Sequence, residues 1–190
     1  IMGGSAALAA TSMTNSIVIG RQAVGVGVAT GQDNVLIGGK AGYNHGTAAG
    51  ENVAVGNKSG YGTTTGDKNS YIGAESGYSN STGIGAVAMG HSALYSETTG
   101  DSTDTNHVAI GRLALYSTVT TTRNVGMGYK AGYHWTTGGG NVALGNKAGP
   151  SSTSTEANKL YIHNDEGTPL IGGDFSAGTV TIDGTLSATA

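Results

Sequence analysis

Residues 52–69, NVAVGNKSGYGTTTGDKN, contain one complete copy of a unit that recurs along this chain. In each copy a short apolar segment ends in a glycine. Eight such glycines follow one another at a nearly constant interval: Gly20, Gly38, Gly56, Gly73, Gly90, Gly111, Gly128 and Gly145. A short, nearly fixed period is typical of a solenoid, in which one supersecondary unit is stacked on copies of itself. The sequence therefore predicts an all-β fold, a parallel β-solenoid of about eight coils of 17 to 21 residues.

Two apolar columns precede the repeat glycine. Val or Ile stands three positions before it in every copy except the one with Ser70, and Ile, Val, Met or Leu stands one position before it in all copies. The residues between them are often smaller, such as Ala54 and Ala143. This alternation has the period of a β-strand, whose successive side chains face opposite sides. We expect the two apolar columns to face the core.

Other columns describe the corners of the coil. An asparagine stands before the strand in five copies, Asn34, Asn52, Asn69, Asn124 and Asn141, and we interpret these as corner residues whose amides bond from coil to coil. The third residue after the repeat glycine is always Ala or Ser. A column that never exceeds Ser in size predicts a close approach by backbone or by a partner chain.

A tyrosine column follows at the fifth position after the repeat glycine, in six copies: Tyr43, Tyr61, Tyr78, Tyr95, Tyr116 and Tyr133. A residue that recurs at one register favours a packing ladder with its hydroxyl in water, and a stripe on which sugars stack is the alternative. On that alternative, Tyr95, Tyr116 and Tyr133, with the nearby Trp135, are candidate contact residues.

One insertion interrupts the period. Residues 96–106, SETTGDSTDTN, make the interval from Gly90 to Gly111 the longest of the series, and the copies on either side have Leu94 and Leu115 where most others have Gly. Insertions in solenoids map to loops on one face, so Glu97, Asp101 and Asp104 are candidates for a contact surface. An ordinary solvated loop is the favoured alternative.

Composition excludes several classes of function. The 190 residues include 35 Gly, 2 Pro and no Cys, and only 11% are charged, with a net charge of −3. We expect no disulfide, no thiolate metal site, no basic patch for nucleic acid and no membrane-spanning segment. The five histidines have no metal-ligand spacing, and Ser92 in GHSAL and Ser102 in GDS lack the context of a catalytic triad. We expect no cofactor and no catalysis.

Each coil provides few apolar residues for the chain length that it must order, which predicts burial of a second face against other copies of the chain. Three segments are expected: a lead-in at residues 1–14, the repeat domain at 15–157 and a β-rich stalk or cap at 158–190. In the last segment, short strands are predicted at 160–163, 170–171 and 179–182, with turns at 164–167, 172–173 and 176–178.

The units at residues 52–69, 124–141 (NVGMGYKAGYHWTTGGGN) and 141–149 (NVALGNKAG) resemble the repeats of phage tail fibres and are similar to the head repeats of trimeric autotransporter adhesins. Residues 158–186 resemble the β-rich segment that links such repeats to a C-terminal intramolecular chaperone domain. The resemblance implies a homotrimer of left-handed β-rolls. It also implies an extracellular appendage of a virion or a cell, whose partners are a host glycan or protein receptor and other fibre or baseplate proteins.

Two other functions stay open at this point. A threonine column, Thr47, Thr65, Thr82, Thr99, Thr120 and Thr137, suggests an ice- or crystal-binding face. Two positions before it the residues are mixed and include His45, Glu97 and Trp135, which argues against a flat threonine array. A purely structural fibre spacer is the second alternative.

Overall fold

The structure is a computed structural model that describes residues 13–25, 30–98, 105–119 and 121–186. Within these ranges the chain forms one sheet of eleven strands that follow chain order. The strands are β1 (Ile17–Ile19), β2 (Val35–Ile37), β3 (Val53–Val55), β4 (Ser70–Ile72), β5 (Val87–Met89), β6 (Val108–Ile110), β7 (Val125–Met127), β8 (Val142–Leu144), β9 (Lys159–Ile162), β10 (Ile171–Asp174) and β11 (Thr179–Ile182). The described residues include no helix of the length and apolarity needed to cross a membrane.

Strands β1 to β9 pair in parallel, and equivalent residues of successive copies lie side by side, as Val35 and Val53 do. Each copy of the sequence unit is therefore one coil, and the predicted parallel β-solenoid of about eight turns is confirmed. Strands β9, β10 and β11 then pair antiparallel, so the sheet continues into a three-stranded meander that we call the terminal sheet.

The expectation that the two apolar columns face the core is wrong. The middle residue of each three-residue strand points inward: Val18, Leu36 and Tyr71 are 1 to 2% exposed, whereas Ile17 is 52% exposed. The asparagine column explains this phase. Asn34 and Asn52 are buried, and because side chains two positions apart on a strand share a face, the middle residue shares theirs. The flanking columns must then face outward.

The buried asparagines satisfy backbone groups and are corner residues as predicted. The side-chain oxygen of Asn52 accepts a hydrogen bond from the Asn69 N–H at 3.0 Å, and the Asn52 amide donates to the carbonyl of Gly66 at 2.8 Å. The same pattern recurs at Asn34, Asn69, Asn124 and Asn141. The amides therefore bond to backbone groups of their own and the next coil.

Close approach between coils explains the repeat glycines. All eight have φ between +123° and +140°, a region that side chains rarely adopt. A Cβ added at Gly73 would lie 2.7 Å from the carbonyl oxygen of Gly90 in the next coil. The column of Ala and Ser three positions later is fully buried, which agrees with its restricted size.

The interior is filled by size compensation between columns. Leu94 and Leu115 stand at the fourth position after the repeat glycine, where other coils have Gly60 and Gly132. Both leucines have a left-handed backbone and are completely buried. Leu115 reaches the space over Gly126 and Gly132, where an added Cβ would lie 2.9 Å or less from its side chain. These leucines therefore replace volume that a larger strand residue supplies in other coils.

The predicted turn at residues 172–173 is wrong, because Gly172 and Gly173 lie within β10. Pro169 packs over Gly172, where an added Cβ would lie 2.6 Å from the proline Cγ. The pair of glycines thus indicates a close contact on the strand, and the chain reverses before and after it.

Candidate functional site

The outward-facing apolar columns form a continuous surface that we call the outer stripe. Register in the sheet defines its members. One column contains Ile17, Val35, Val53, Ser70, Val87, Val108, Val125, Val142, Leu160, Gly173 and Val180; the other contains Ile19, Ile37, Val55, Ile72, Met89, Ile110, Met127, Leu144, Ile162, Ile171 and Ile182. Only Ser70 and Gly173 interrupt it with a residue that is not a large apolar one, and no member is charged.

The outer stripe is exposed in the single chain. Ile72, Met89 and Met127 are 40 to 42% exposed, and Val180 at the far end is 68% exposed. Strands in a sheet lie about 4.8 Å apart, so eleven strands give a stripe about 48 Å long. Contiguous apolar surfaces of this extent are often functional, so the outer stripe is a candidate interaction surface.

A second surface feature is the tyrosine ladder, which consists of Tyr43, Tyr61, Tyr78, Tyr95, Tyr116 and Tyr133. Successive rings stack with centroids 4.8 to 5.2 Å apart and planes within 14° of parallel. The ammonium of Lys40 lies 5.2 Å from the Tyr43 ring, and that of Lys130 lies 5.0 Å from the Tyr133 ring. Partial desolvation, with repulsion from the neighbouring tyrosines, raises the pKa of Tyr61, and partial desolvation with repulsion from Glu75 raises the pKa of Tyr95.

This geometry corrects the sugar-stacking interpretation of Tyr95 and Tyr116, whereas Tyr133, at the end of the ladder, stacks on a tyrosine on one side only. Sugars stack on aromatic faces, but the two faces of Tyr95 and Tyr116 are covered by neighbouring tyrosines. Only ring edges and hydroxyls are left for solvent. The column is therefore a packing ladder that stabilises the stack of coils.

The other predicted contact residues do not form one surface. Glu97 and Trp135 are completely buried inside the coils, so placing them on a contact surface is wrong. They belong to an inward-facing column at the seventh position after the repeat glycine, which also contains His45, Thr63, Asn80 and Thr118. Asp101 and Asp104 lie outside the described residues.

A buried polar cluster surrounds Glu97. The Nε2 atom of His107 hydrogen-bonds to the Thr121 carbonyl oxygen at 3.0 Å and lies 2.9 Å from Glu97 Oε2. Its Nδ1 atom accepts the N–H of Asn124 at 3.2 Å. Because Nδ1 accepts, the imidazole proton lies on Nε2. In the neighbouring coils, Asn80 donates to the hydroxyl of Tyr71 at 2.6 Å, and burial raises the pKa of that phenol well above its ordinary value.

Sequence reasoning missed the role of His107. It stands four positions before a repeat glycine, which is the asparagine register, and its ring nitrogen replaces the asparagine oxygen as the acceptor for the next coil. The register itself was the available signal. The histidine is thus a structural member of the asparagine column.

Ser92 has neighbours that resemble a catalytic arrangement. Its hydroxyl lies 3.1 Å from His91 Nδ1 and 3.4 Å from Glu75 Oε2, and its φ is +52°. However, Ser92 is only 3% exposed, and the equivalent Lys58 and Lys130 have φ of +54°. The strained backbone therefore belongs to the repeat and is not specific to Ser92.

The terminal sheet carries further charged contacts. Lys159 Nζ lies 2.6 Å from Asp174 Oδ2, and this bond, followed by bonds from Ser176, holds the pKa of Asp174 well below its ordinary value. Burial and the bond from its hydroxyl to Glu156 raise the pKa of Tyr161 to about 12. Across the described ranges, no three His, Asp or Glu side chains converge as a metal site would require.

The fold and the repeated surface columns define a β-solenoid repeat protein, compatible with the β-roll class. No family model, no curated protein and no solved structure matches the chain.

Proposed function

We propose that this chain is a structural subunit of a homotrimeric attachment fibre, located outside the cell as part of a virion tail fibre or a cell-surface appendage. The observation that carries the proposal is the outer stripe, which runs through all eleven strands without a charged residue.

The size of the stripe supports a partner. Two columns about 7 Å apart along the strand, with their side-chain widths, over a length of about 48 Å give an apolar area on the order of 500 Å². This lies in the range of roughly 300–600 Å² for the largest apolar patch of a typical monomer, which is often functional, and approaches the roughly 800 Å² per partner of a specific interface. Burial of this surface against a partner would remove apolar area from water, which is favourable.

The period of the stripe supports a second and third copy as that partner. Its side chains recur once per coil along one direction, in parallel and in register. A surface packs evenly against this one over its whole length only if its own ridges recur at the same spacing. Another copy of the chain meets this condition, and an unrelated globular surface does not.

The number three and the attachment role rest on the resemblance of the repeats to those of tail fibres and trimeric adhesins. We expect the fibre to contact other fibre or baseplate proteins along its axis and a glycan or protein receptor on a host surface. We propose no enzymatic step, no cofactor, no nucleic-acid partner and no membrane insertion.

Native mass spectrometry of the full chain tests self-association. The wild-type chain of 18.7 kDa should give a trimer of three times that mass. Met127→Glu places a charge in the outer stripe and should shift the population to monomer, because three desolvated carboxylates cannot be buried together. Thr137→Glu, at an exposed position outside the stripe, is the matched control and should stay trimeric.

A wild-type chain that stays monomeric at micromolar concentration would refute the assembly. Equal oligomeric states for the two variants would refute the stripe as its interface. Labelled trimer applied to a glycan array then tests attachment, and binding that survives in the trimer but not in the Met127→Glu monomer would show that avidity is required.

A further inference from the structure

We infer that the tyrosine ladder is a site of oxidative modification at which dityrosine bonds join neighbouring coils. A dityrosine bond links the ortho carbons of two phenol rings. The ladder presents five tyrosine pairs whose ring centroids already lie 4.8 to 5.2 Å apart. This inference does not depend on the oligomeric state or on the attachment role.

The fold keeps these pairs together. The backbone next to each tyrosine bonds to the next coil: Asn44 N–H donates to the carbonyl of Tyr61 at 2.9 Å, and Gly62 N–H donates to that of Tyr78 at 2.8 Å. Parallel pairing of β2, β3 and β4 holds the same register. Two phenoxyl radicals on adjacent rungs therefore meet without a diffusional search, which is the advantage of a preoriented reaction.

The ladder is accessible and distinct from the other tyrosines. All six of its members are partly exposed, whereas Tyr71 is buried with its hydroxyl bonded to Asn80. Tyr129 lies against Arg112 at 4.6 Å, and Tyr161 lies edge-on to Trp135 at 5.9 Å. No ring contact in the described residues brings one of these three tyrosines against another tyrosine.

The chemistry needs an external oxidant, and hydrogen peroxide activated by a haem peroxidase is the class that fits. Each of two phenols loses one electron and one proton, and the peroxide takes both to form two waters. The two phenoxyl radicals form one ortho carbon–carbon bond, and each ortho proton moves to its own oxygen as the rings regain aromaticity. The product is one dityrosine per peroxide consumed.

The chain has no cysteine, so disulfides cannot staple its coils and thiols do not compete for the oxidant. A dityrosine between Tyr43 and Tyr61 closes a loop that is one coil long. A cross-link of this kind stabilises a fold mainly by restricting the unfolded chain, as a disulfide does. The ladder would thus fix the coil stack in an oxidising environment.

Two triple variants of the full chain test the inference. Tyr61→Phe, Tyr95→Phe and Tyr133→Phe together leave three ladder tyrosines separated by two coils, about 10 Å apart. Tyr43→Phe, Tyr61→Phe and Tyr78→Phe together leave three that are adjacent, with two of the five stacked pairs intact. Both sets keep six aromatic rings in the ladder and the same number of tyrosines.

After treatment with peroxidase and hydrogen peroxide at low protein concentration, dityrosine fluorescence should fall to background in the alternating variant. At low conversion the adjacent variant should keep about two-fifths of the wild-type signal, since it retains two of the five pairs. Tryptic peptides should join the segments that contain Tyr43 and Tyr61, and those that contain Tyr116 and Tyr133, within one chain.

Three results would overturn the inference: equal fluorescence from the two variants, cross-links that map to Tyr129 or Tyr161, or products formed only between chains. Circular dichroism before oxidation shows whether each variant is folded. If the alternating variant is not folded, the peptide map of the wild-type protein alone decides, because Tyr43, Tyr61, Tyr116 and Tyr133 lie on tryptic peptides separate from those of Tyr129 and Tyr161.

Discussion

The inner and outer faces of the same short strands follow different rules. On the inner face the middle residue ranges from Gly126 to Tyr71, whereas the outer stripe is uniformly apolar at all but two positions. The inner residues vary because glycines and leucines elsewhere in the coil adjust the space within one chain. Local compensation therefore fills the interior of one chain, while the uniform outer stripe matches the proposed partner with the same period.

The largest expected effect tests compensation on the inner face. Leu115→Ala should lower the free energy of unfolding by about 2–5 kcal/mol, the range for a leucine that leaves a cavity. Leu115 is completely buried, and its side chain fills the space above Gly126 and Gly132. Urea denaturation followed by circular dichroism measures the change.

Leu113→Ala is the matched control, because Leu113 lies in the same coil with φ +61°, against +49° for Leu115, but is only partly buried. The backbone contribution is then nearly the same in both variants. A loss at Leu113 as large as that at Leu115 would show that the left-handed backbone, and not the filled space, sets the stability.

The next effect concerns the polar part of the inner face. Asn124→Ala removes the acceptor for the buried Asn141 N–H and the donor to the carbonyl of Gly138. An unsatisfied buried backbone group costs about 1–3 kcal/mol, and we expect a loss of unfolding free energy in that range. Asn57→Ala, whose amide donates to the Gly39 carbonyl in an exposed position, should change stability by less than about 0.5 kcal/mol. Equal losses in the two variants would contradict a buried ladder.

The sequence predicts the coil period, the parallel register and the corner role of the asparagines, because each of these repeats at a fixed spacing. It does not by itself settle which face of a three-residue strand is inside, since alternation has two phases. The large Val and Ile columns indicate an apolar inner face, but the buried face is the other one, which carries Asn34 and Asn52 together with the middle strand residues. The insertion predicts a surface position for Glu97, and proximity to the tyrosine column predicts one for Trp135, whereas their shared register with Thr63 and Asn80 indicates the interior.

Association through the outer stripe should become stronger if the one polar position in its apolar pattern is made apolar. Ser70 is the single polar side chain in the stripe. Ser70→Val should leave the stability of the single chain within about 0.5 kcal/mol and strengthen association by about 1 kcal/mol per copy, the value of roughly one buried methylene. Sedimentation equilibrium measures the dissociation constant, and Ser151→Val, at an exposed position outside the stripe, is the control. Weaker association of Ser70→Val would mean that this surface is not an apolar interface.

In the terminal sheet the inner face of the strands is no longer enclosed by a coil, and its residues change. Asp174 and Lys159 lie on the continuation of that face, together with Thr179 and Thr181, and all are at least partly exposed. The coils have enclosed apolar side chains on this face, whereas the terminal sheet has the ion pair of Lys159 and Asp174, with Nζ 2.6 Å from Oδ2. This region should therefore respond to pH through that pair.

The bonds from Lys159 and Ser176 lower the pKa of Asp174 in the folded chain, so their contribution is present above the unfolded value of about 3.9 and is lost as the pH falls through the folded pKa. The bond to Asp174 raises the pKa of Lys159, so its contribution is present below about 10.4 and is lost at higher pH. Hydrogen-exchange protection in β10 and β11, measured relative to the intrinsic exchange rate at each pH, should fall in acid, and Asp174→Asn should abolish that dependence, while Asp183→Asn should preserve it. Persistence of the acid response in Asp174→Asn would assign it to another carboxylate. Because the ion pair is exposed, this effect should be the smallest of the four predicted in this Discussion. Hydrogen exchange in the coils should not show the same dependence on pH.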